Sequence, residues 1–174
     1  MGIPVRIDIG NYQIIPTFRP VSAVFHTQLK FVSLTVCQDG AFVIRILIVD
    51  DHHQFRAQLR SLLESIEEWQ VCGEAQNGID AVEKHCDIQP HVTVMDFNMP
   101  ELNGLLASRE ILRKHPQATI LLLTVFASAQ LAVRAKREGI KGFCSKTEID
   151  CITVAIETLL RGGTYFPESF AVQP

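Results

Sequence analysis

Ile44-Arg45-Ile46-Leu47-Ile48-Val49-Asp50-Asp51-His52 is an aliphatic run rich in β-branched residues that stops on two adjacent acids. Such a run, too short for a helix and apolar on both faces, reads as a strand buried inside a parallel sheet. The acids then stand at its carboxyl end. Directly afterwards Phe55, Leu59, Leu62, Leu63 and Ile66 fall at helical spacing and predict a helix that packs back on the sheet.

The same strand-then-helix unit repeats to the end of the chain, which is the signature of an α/β fold with a parallel sheet wrapped by helices. A second strand is predicted over Gln70 to Ala75, closed by Asn77-Gly78, with a helix over Ile79 to Cys86. A third, His91 to Met95, ends at Asp96 and opens into a loop containing Met99-Pro100 and Asn103-Gly104; a helix follows over Leu105 to Lys114, stopped by His115-Pro116. The run Ile120 to Leu123 ends at Thr124, and a fourth helix through Leu131 and Val133 is closed by Gly139. A fifth strand over Ile140 to Cys144 delivers Ser145-Lys146, and the last helix covers Ile149 to Arg161. Its apolar positions Ile149, Ile152, Val154, Ala155, Ile156, Leu159 and Leu160 occupy more than one face, which leaves apolar surface for a partner.

The 174 residues are 47% hydrophobic and 20% charged with a net charge of -3, enough for one domain with a real core and a little left over. No basic run exceeds Arg113-Lys114, so the chain carries no electrostatic footprint for nucleic acid. Five cysteines, Cys37, Cys72, Cys86, Cys144 and Cys151, are odd in number and lack C-x-x-C spacing, so reduced thiols are expected rather than a disulfide framework or a zinc site. His26, Lys30 and Arg45 interrupt the best candidates for a membrane span, and Met1 to Gly10 lack the pattern of a signal peptide. A cytoplasmic protein is expected. Residues 1–43 are different in kind, with a hairpin signal at Asp39-Gly40 but no helical period, and read as a poorly packed extension of unknown role.

The acids matter by position. In an open parallel sheet, ligands bind outside the carboxyl ends of the strands. Asp50 and Asp51 end the first predicted strand, Asp96 the third, Thr124 the fourth and Lys146 the fifth, so all five converge on one edge. Three carboxylates in one crevice repel unless a cation joins them, and hard oxygen ligands suit Mg²⁺. An amine and a hydroxyl opposite them complete a cradle for a tetrahedral oxyanion. This is equipment for phosphoryl transfer, with an Asp available as nucleophile.

Ile48-Val49-Asp50-Asp51-His52, Met95-Asp96-Phe97-Asn98-Met99-Pro100 through Asn103-Gly104, Leu123-Thr124, and Gly142-Phe143-Cys144-Ser145-Lys146 resemble, in order and spacing, the receiver domains of two-component response regulators. The resemblance covers about Ile44 to Phe166. Phe55-Arg56, Leu123-Thr124-Val125 and Arg161-Gly162-Gly163-Thr164-Tyr165-Phe166-Pro167 are similar to the LuxR-type branch, whose receivers precede a DNA-binding output domain.

The resemblance implies a flavodoxin-like, doubly wound five-stranded sheet of order 2-1-3-4-5 over residues 44–166, with 167–174 as a tail. It implies that Asp96 accepts a phosphoryl group from a sensor histidine kinase. Asp51, Asp96 and the backbone carbonyl of Asn98 would hold Mg²⁺, assisted by Asp50 through water. Thr124 and Lys146 would contact the phosphoryl oxygens, and Phe143 would stand at the switch position, turning inward as Thr124 is drawn to the phosphate. The surface of the fourth helix, fifth strand and fifth helix would then change partner preference, with homodimerisation expected, and the chain would not be a turnover enzyme. With no room for an output domain after residue 166, a truncated transcriptional regulator or a stand-alone receiver is expected.

Three departures from the family pattern stand out. Phe143 replaces the usual Tyr, Thr147 follows Lys146 where Pro is common, and Val125-Phe126 are bulkier than the small residues often found there, which predicts slower access of water and small donors to the site. Taken singly, each site residue has a plain reading: a helix N-cap for Asp96, a strand-end hydroxyl for Thr124, a solvated amine for Lys146. His52-His53 read as polar residues at a helix start; His85-Cys86 and His115 as surface or loop residues; Met95 and Met99 as packing. A phosphorylation-independent interaction module of the same fold is the alternative function, but it has no need of the quintet Asp50, Asp51, Asp96, Thr124 and Lys146. A hydrolytic phosphatase would want an acid where Asn98 stands.

Overall fold

A computed structural model describes residues 43–167 of the chain. The extension expected over residues 1–43, including Asp39-Gly40, lies outside them save for Val43, as does nearly all of the 167–174 tail.

Among the described residues five strands and five helices alternate without exception. They are β1 (Ile44–Val49), α1 (His53–Leu63), β2 (Trp69–Ala75), α2 (Gly78–Ile88), β3 (Val92–Asp96), α3 (Gly104–Lys114), β4 (Ile120–Thr124), α4 (Ala129–Arg137), β5 (Gly142–Ser145) and α5 (Asp150–Leu160). All pairings are parallel and the sheet order is β2-β1-β3-β4-β5, the flavodoxin-like arrangement. The order reverses at β1, so the crevice beyond β1 and β3 is where ligands bind in such sheets.

Alternate residues of each central strand feed two cores, one per face. Ile46, Ile48, Val92, Val94, Leu121 and Leu123 pack with Leu59 and Leu63 of α1 and Ile152, Ala155, Ile156 and Leu159 of α5. Leu47, Val49, Met95, Ile120, Leu122 and Phe143 pack with Ala81 of α2, Leu105, Ala107 and Ile111 of α3, and Ala132 and Ala135 of α4. Helix α5 leaves Val154 about half exposed and Ile149 exposed, so it does carry apolar residues on a second face. The packing reading of Met95 and Met99 holds, the first fully buried and the second packed against the α2–α3–α4 core.

Where boundaries shift, caps explain it. The fifth strand starts at Gly142 rather than Ile140 because the chain first closes α4: Gly139 has φ 87°, and the Ile140 N–H donates to the Ala135 carbonyl at 3.1 Å. That backbone bond closes the helix end and cannot also enter a ladder. Helix α2 runs past Cys86 to Ile88, where Gln89 turns left-handed at φ 48° before Pro90. Helix α1 stops at Leu63, short of Ile66, which packs on the core from a turn.

His85 is not a surface residue. It lies on the sheet-facing side of α2, is 3% exposed, and shares a 2.9 Å hydrogen bond through Nδ1 with Thr93 Oγ1 on β3. Its ring meets that of His115, at the end of α3, with centroids 5.5 Å apart. Burial, reinforced by His115, pushes its pKa down to about 4, so at neutral pH it is an uncharged core residue.

Candidate functional site

The site lies at the carboxyl ends of β1, β3, β4 and β5. Asp50 follows β1 and is 1% exposed; Asp96 ends β3 at 3%; Thr124 ends β4 fully buried. Each is carried there by an aliphatic strand whose register is fixed by packing, since a slip by one residue would swap its side chains between the two cores. Lys146, just past β5, reaches back across the edge. Its Nζ donates to Asp50 Oδ2 at 2.5 Å and lies 3.0 Å from Asp96 Oδ1, so one ammonium is shared by two buried carboxylates. The same Nζ stands 4.6 Å from the centroid of the Phe55 ring, an attraction between cation and ring face.

The backbone fixes the acids further. The His52 N–H donates to Asp50 Oδ1 at 2.9 Å, and Arg56 Nη1 donates to the Asp50 carbonyl at 2.6 Å while Nε pairs with Glu74 at 3.0 Å. On the other side, the Asn98 backbone N–H bonds the Asp96 carboxylate. Gly104, the first residue of α3, passes so close to the Asp96 carbonyl that a Cβ there would lie 1.9 Å from its oxygen. Only glycine permits this approach, which explains the Asn103-Gly104 pair: Asn103 caps α3 by accepting from the Leu106 N–H at 3.0 Å, and Gly104 lets the helix start against β3. The plain cap reading therefore belongs to Asn103, not to Asp96.

Burial pushes the Asp96 carboxyl above its ordinary range; Lys146 pulls it down and Asp50 pushes it up again. Counted as ionised, the pair of buried acids exceeds the single ammonium by one negative charge. Asp51 is exposed, with His52 Nδ1 2.8 Å from its Oδ1. Ligand atoms of Asp50, Asp51 and His52 lie within 4.8 Å of one another, the one such grouping among the described residues. The excess charge and the carboxylate oxygens fit a small hard dication such as Mg²⁺. Asp96 is linked to this group through Lys146 rather than by joining it directly.

Thr124 accepts a 3.2 Å bond from the Phe126 N–H at Oγ1, and its carbonyl accepts from the Lys146 N–H at 2.9 Å, tying the loops after β4 and β5 together. Val125 is half exposed and Phe126 is 80% exposed, so in this arrangement their bulk faces solvent rather than covering the acids. Phe143 is fully enclosed in the core between β4, β5 and α4, already inside where an inward turn had been expected. Sequence reasoning missed the parts of Phe55 and Arg56 and set His52 aside. The signal for the first two was their place one turn into α1, directly above Asp50.

Residues 46–157 match the family model described as the response regulator receiver domain. The chain belongs to this family. Among curated relatives, the receiver is 32% identical over 132 residues to the response regulator GacA of Pseudomonas protegens, covering 75% of this chain and 62% of that protein. It is 35% identical over 132 residues to the transcriptional regulatory protein LnrK of Bacillus subtilis, covering 75% of this chain and 60% of that protein. The chain thus spans less than two thirds of these relatives' length. To the chemotaxis protein CheY of Thermotoga maritima it is 36% identical over 102 residues, covering 59% of this chain and 84% of that protein. In solved structures, a LuxR-family two-component response regulator from an Aurantimonas species superposes with TM-score 0.71 at 29% identity, covering 74% of this chain and 92% of that one. The LuxR-type likeness of the receiver thus extends from sequence to structure. Among the described residues no helix is long and apolar enough to cross a membrane.

Proposed function

We propose that this receiver is the phosphoacceptor of a two-component phosphorelay, taking a phosphoryl group on Asp96 from the phosphohistidine of a sensor kinase in the cytoplasm. One observation carries the reading: two buried carboxylates at the switch point of the sheet share a single ammonium. A structural ion pair would balance its charges, because an uncompensated buried charge is strongly destabilising. An imbalance held in place by four strand ends fits a site completed by a cation and used for phosphoryl transfer.

In the reaction the phosphorus–nitrogen bond to the kinase imidazole breaks as an Asp96 carboxylate oxygen bonds to phosphorus. When bound, Mg²⁺ would supply neutralisation of charge on the transferring oxygens; Asp51, Asp96 and the Asn98 carbonyl would hold it, with Asp50 assisting. Lys146, already between Asp50 and Asp96, pairs with a phosphoryl oxygen. Thr124, whose Oγ1 is engaged as an acceptor, keeps its hydroxyl proton to donate to another. Drawing Thr124 toward the phosphate pulls on the loop that carries Val125 and Phe126, and through the Phe143 packing on the α4–β5–α5 face, where a second copy or an effector docks. The protein catalyses only its own phosphorylation and dephosphorylation, and its regulatory output requires a further domain or partner.

Incubation with a small acyl or amido phosphodonor and Mg²⁺ tests this. The expected result is one hydroxylamine-sensitive phosphate per chain, absent from Asp96→Asn. No uptake from small donors or from any histidine kinase would overturn it, and would leave the interaction-module reading in its place.

A further inference from the structure

We propose that Cys144 and Cys151 are a redox-responsive pair, closed into a disulfide by a hydroperoxide. Cys144 lies in β5 and is fully buried; Cys151 stands in the first turn of α5 and is half-buried. The Cys144 thiol points at the start of α5, donating to the Cys151 carbonyl at 3.9 Å, and the two side chains are within hydrogen-bonding reach of each other. The Tyr165 hydroxyl is a further hydrogen-bonding neighbour of the Cys151 side chain. Cys72, by contrast, donates to the Ile46 carbonyl on β1.

The chain between the two cysteines folds back on itself through the Glu148 N–H to Ser145 carbonyl bond at 3.2 Å and the Cys151 N–H to Glu148 carbonyl bond at 3.0 Å. Helix α5 begins without a side-chain cap, Ile149 being already helical at φ -55°. Closing the bond requires the first turn of α5 to shift until the sulfurs reach the roughly 2 Å of a disulfide.

Exposure decides the order of events. Cys151 meets the oxidant first: its sulfur takes oxygen from the hydroperoxide, giving a sulfenic acid and water or an alcohol. The Cys144 sulfur then attacks that sulfur and loses its proton, the sulfenic oxygen leaves as water, and the S–S bond forms. Cys144, fully buried, is shielded from the oxidant, which leaves it as the resolving thiol rather than the primary target. The bond would close a short ring around Ser145, Lys146 and Thr147, tying the loop that positions Lys146 to α5.

Trypsin cleaves after Lys141, Lys146 and Arg161, so it separates the two cysteines unless a disulfide joins them. The full-length protein, treated with hydrogen peroxide and alkylated before digestion, is expected to yield peptide 142–146 linked to peptide 147–161. Prior treatment with a dithiol abolishes the linked product, and so does Cys151→Ser, a change at a half-buried position. Cys151 over-oxidised to sulfinic acid with peptide 142–146 left free, or linkage of Cys144 or Cys151 to another cysteine as the main product, would overturn the proposal. The readout does not involve phosphate, so it stands or falls separately from the phosphoacceptor function.

Discussion

Two polar clusters in this receiver are buried to the same degree and differ in how they treat charge. At the strand ends, Asp50, Asp96 and Lys146 hold two acids against one base. Beneath α2, His85 and Thr93 form a neutral pair, with His115 beside them and the His85 pKa pushed down to about 4. The His85–Thr93 pair meets the ordinary demand on buried polar groups: each finds a hydrogen bond in the other and neither carries charge. The strand-end cluster does not, and the residual negative charge marks it as a site rather than a strut. Burial of a polar residue alone distinguishes nothing here; charge balance does.

The comparison breaks most readily at Lys146. Replacing it with Ala leaves two buried carboxylates without a counter-charge, and the metal-free protein is expected to lose about 3 kcal/mol in urea unfolding. A loss below about 1 kcal/mol would mean that the site is wet enough to screen itself.

Acid should strike the other cluster. The folded-state pKa of His85 lies below its unfolded value of 6.5, at about 4, so between those values the unfolded chain binds a proton that the folded chain refuses. Stability is then full above 6.5 and falls as pH drops toward 4, by about 3 kcal/mol at roughly 1.4 kcal/mol per pH unit. In His85→Gln that part of the pH profile is expected to flatten; an unchanged slope would place the effect elsewhere.

Thr93→Val sharpens the contrast more gently. It removes the partner of a buried imidazole without changing any charge, and a destabilisation of about 1–2 kcal/mol is expected from unfolding curves. The smallest effect has the opposite sign. Asp96→Asn removes the surplus charge while Lys146 keeps Asp50, so in the absence of divalent cations the melting temperature should rise by roughly a few degrees.

Much of this was legible in the chain. The strand-end acids, Thr124 and Lys146 could be read because aliphatic runs and a rule about sheet edges place them without any knowledge of side-chain contacts. The sheet order came from the family resemblance that four spaced motifs carry. What escaped depended on contacts across elements. His85 faces the sheet because Gly78, Ala81 and His85 share one side of α2, a spacing present in the sequence but masked by the polarity of histidine. Phe55 beneath the Lys146 ammonium joins residues far apart in sequence, and the start of β5 depended on which carbonyl the Ile140 N–H would choose.

A Mg²⁺ titration followed by thermal unfolding, on the wild-type chain and on Asp96→Asn, tests the surplus charge most directly. The wild type should begin less stable than the variant and gain steadily with Mg²⁺ until it equals or passes it, as ligand binding to the folded state requires, while the variant gains little. Equal response in both chains, or none in the wild type, would contradict the claim that this imbalance is built to receive a cation.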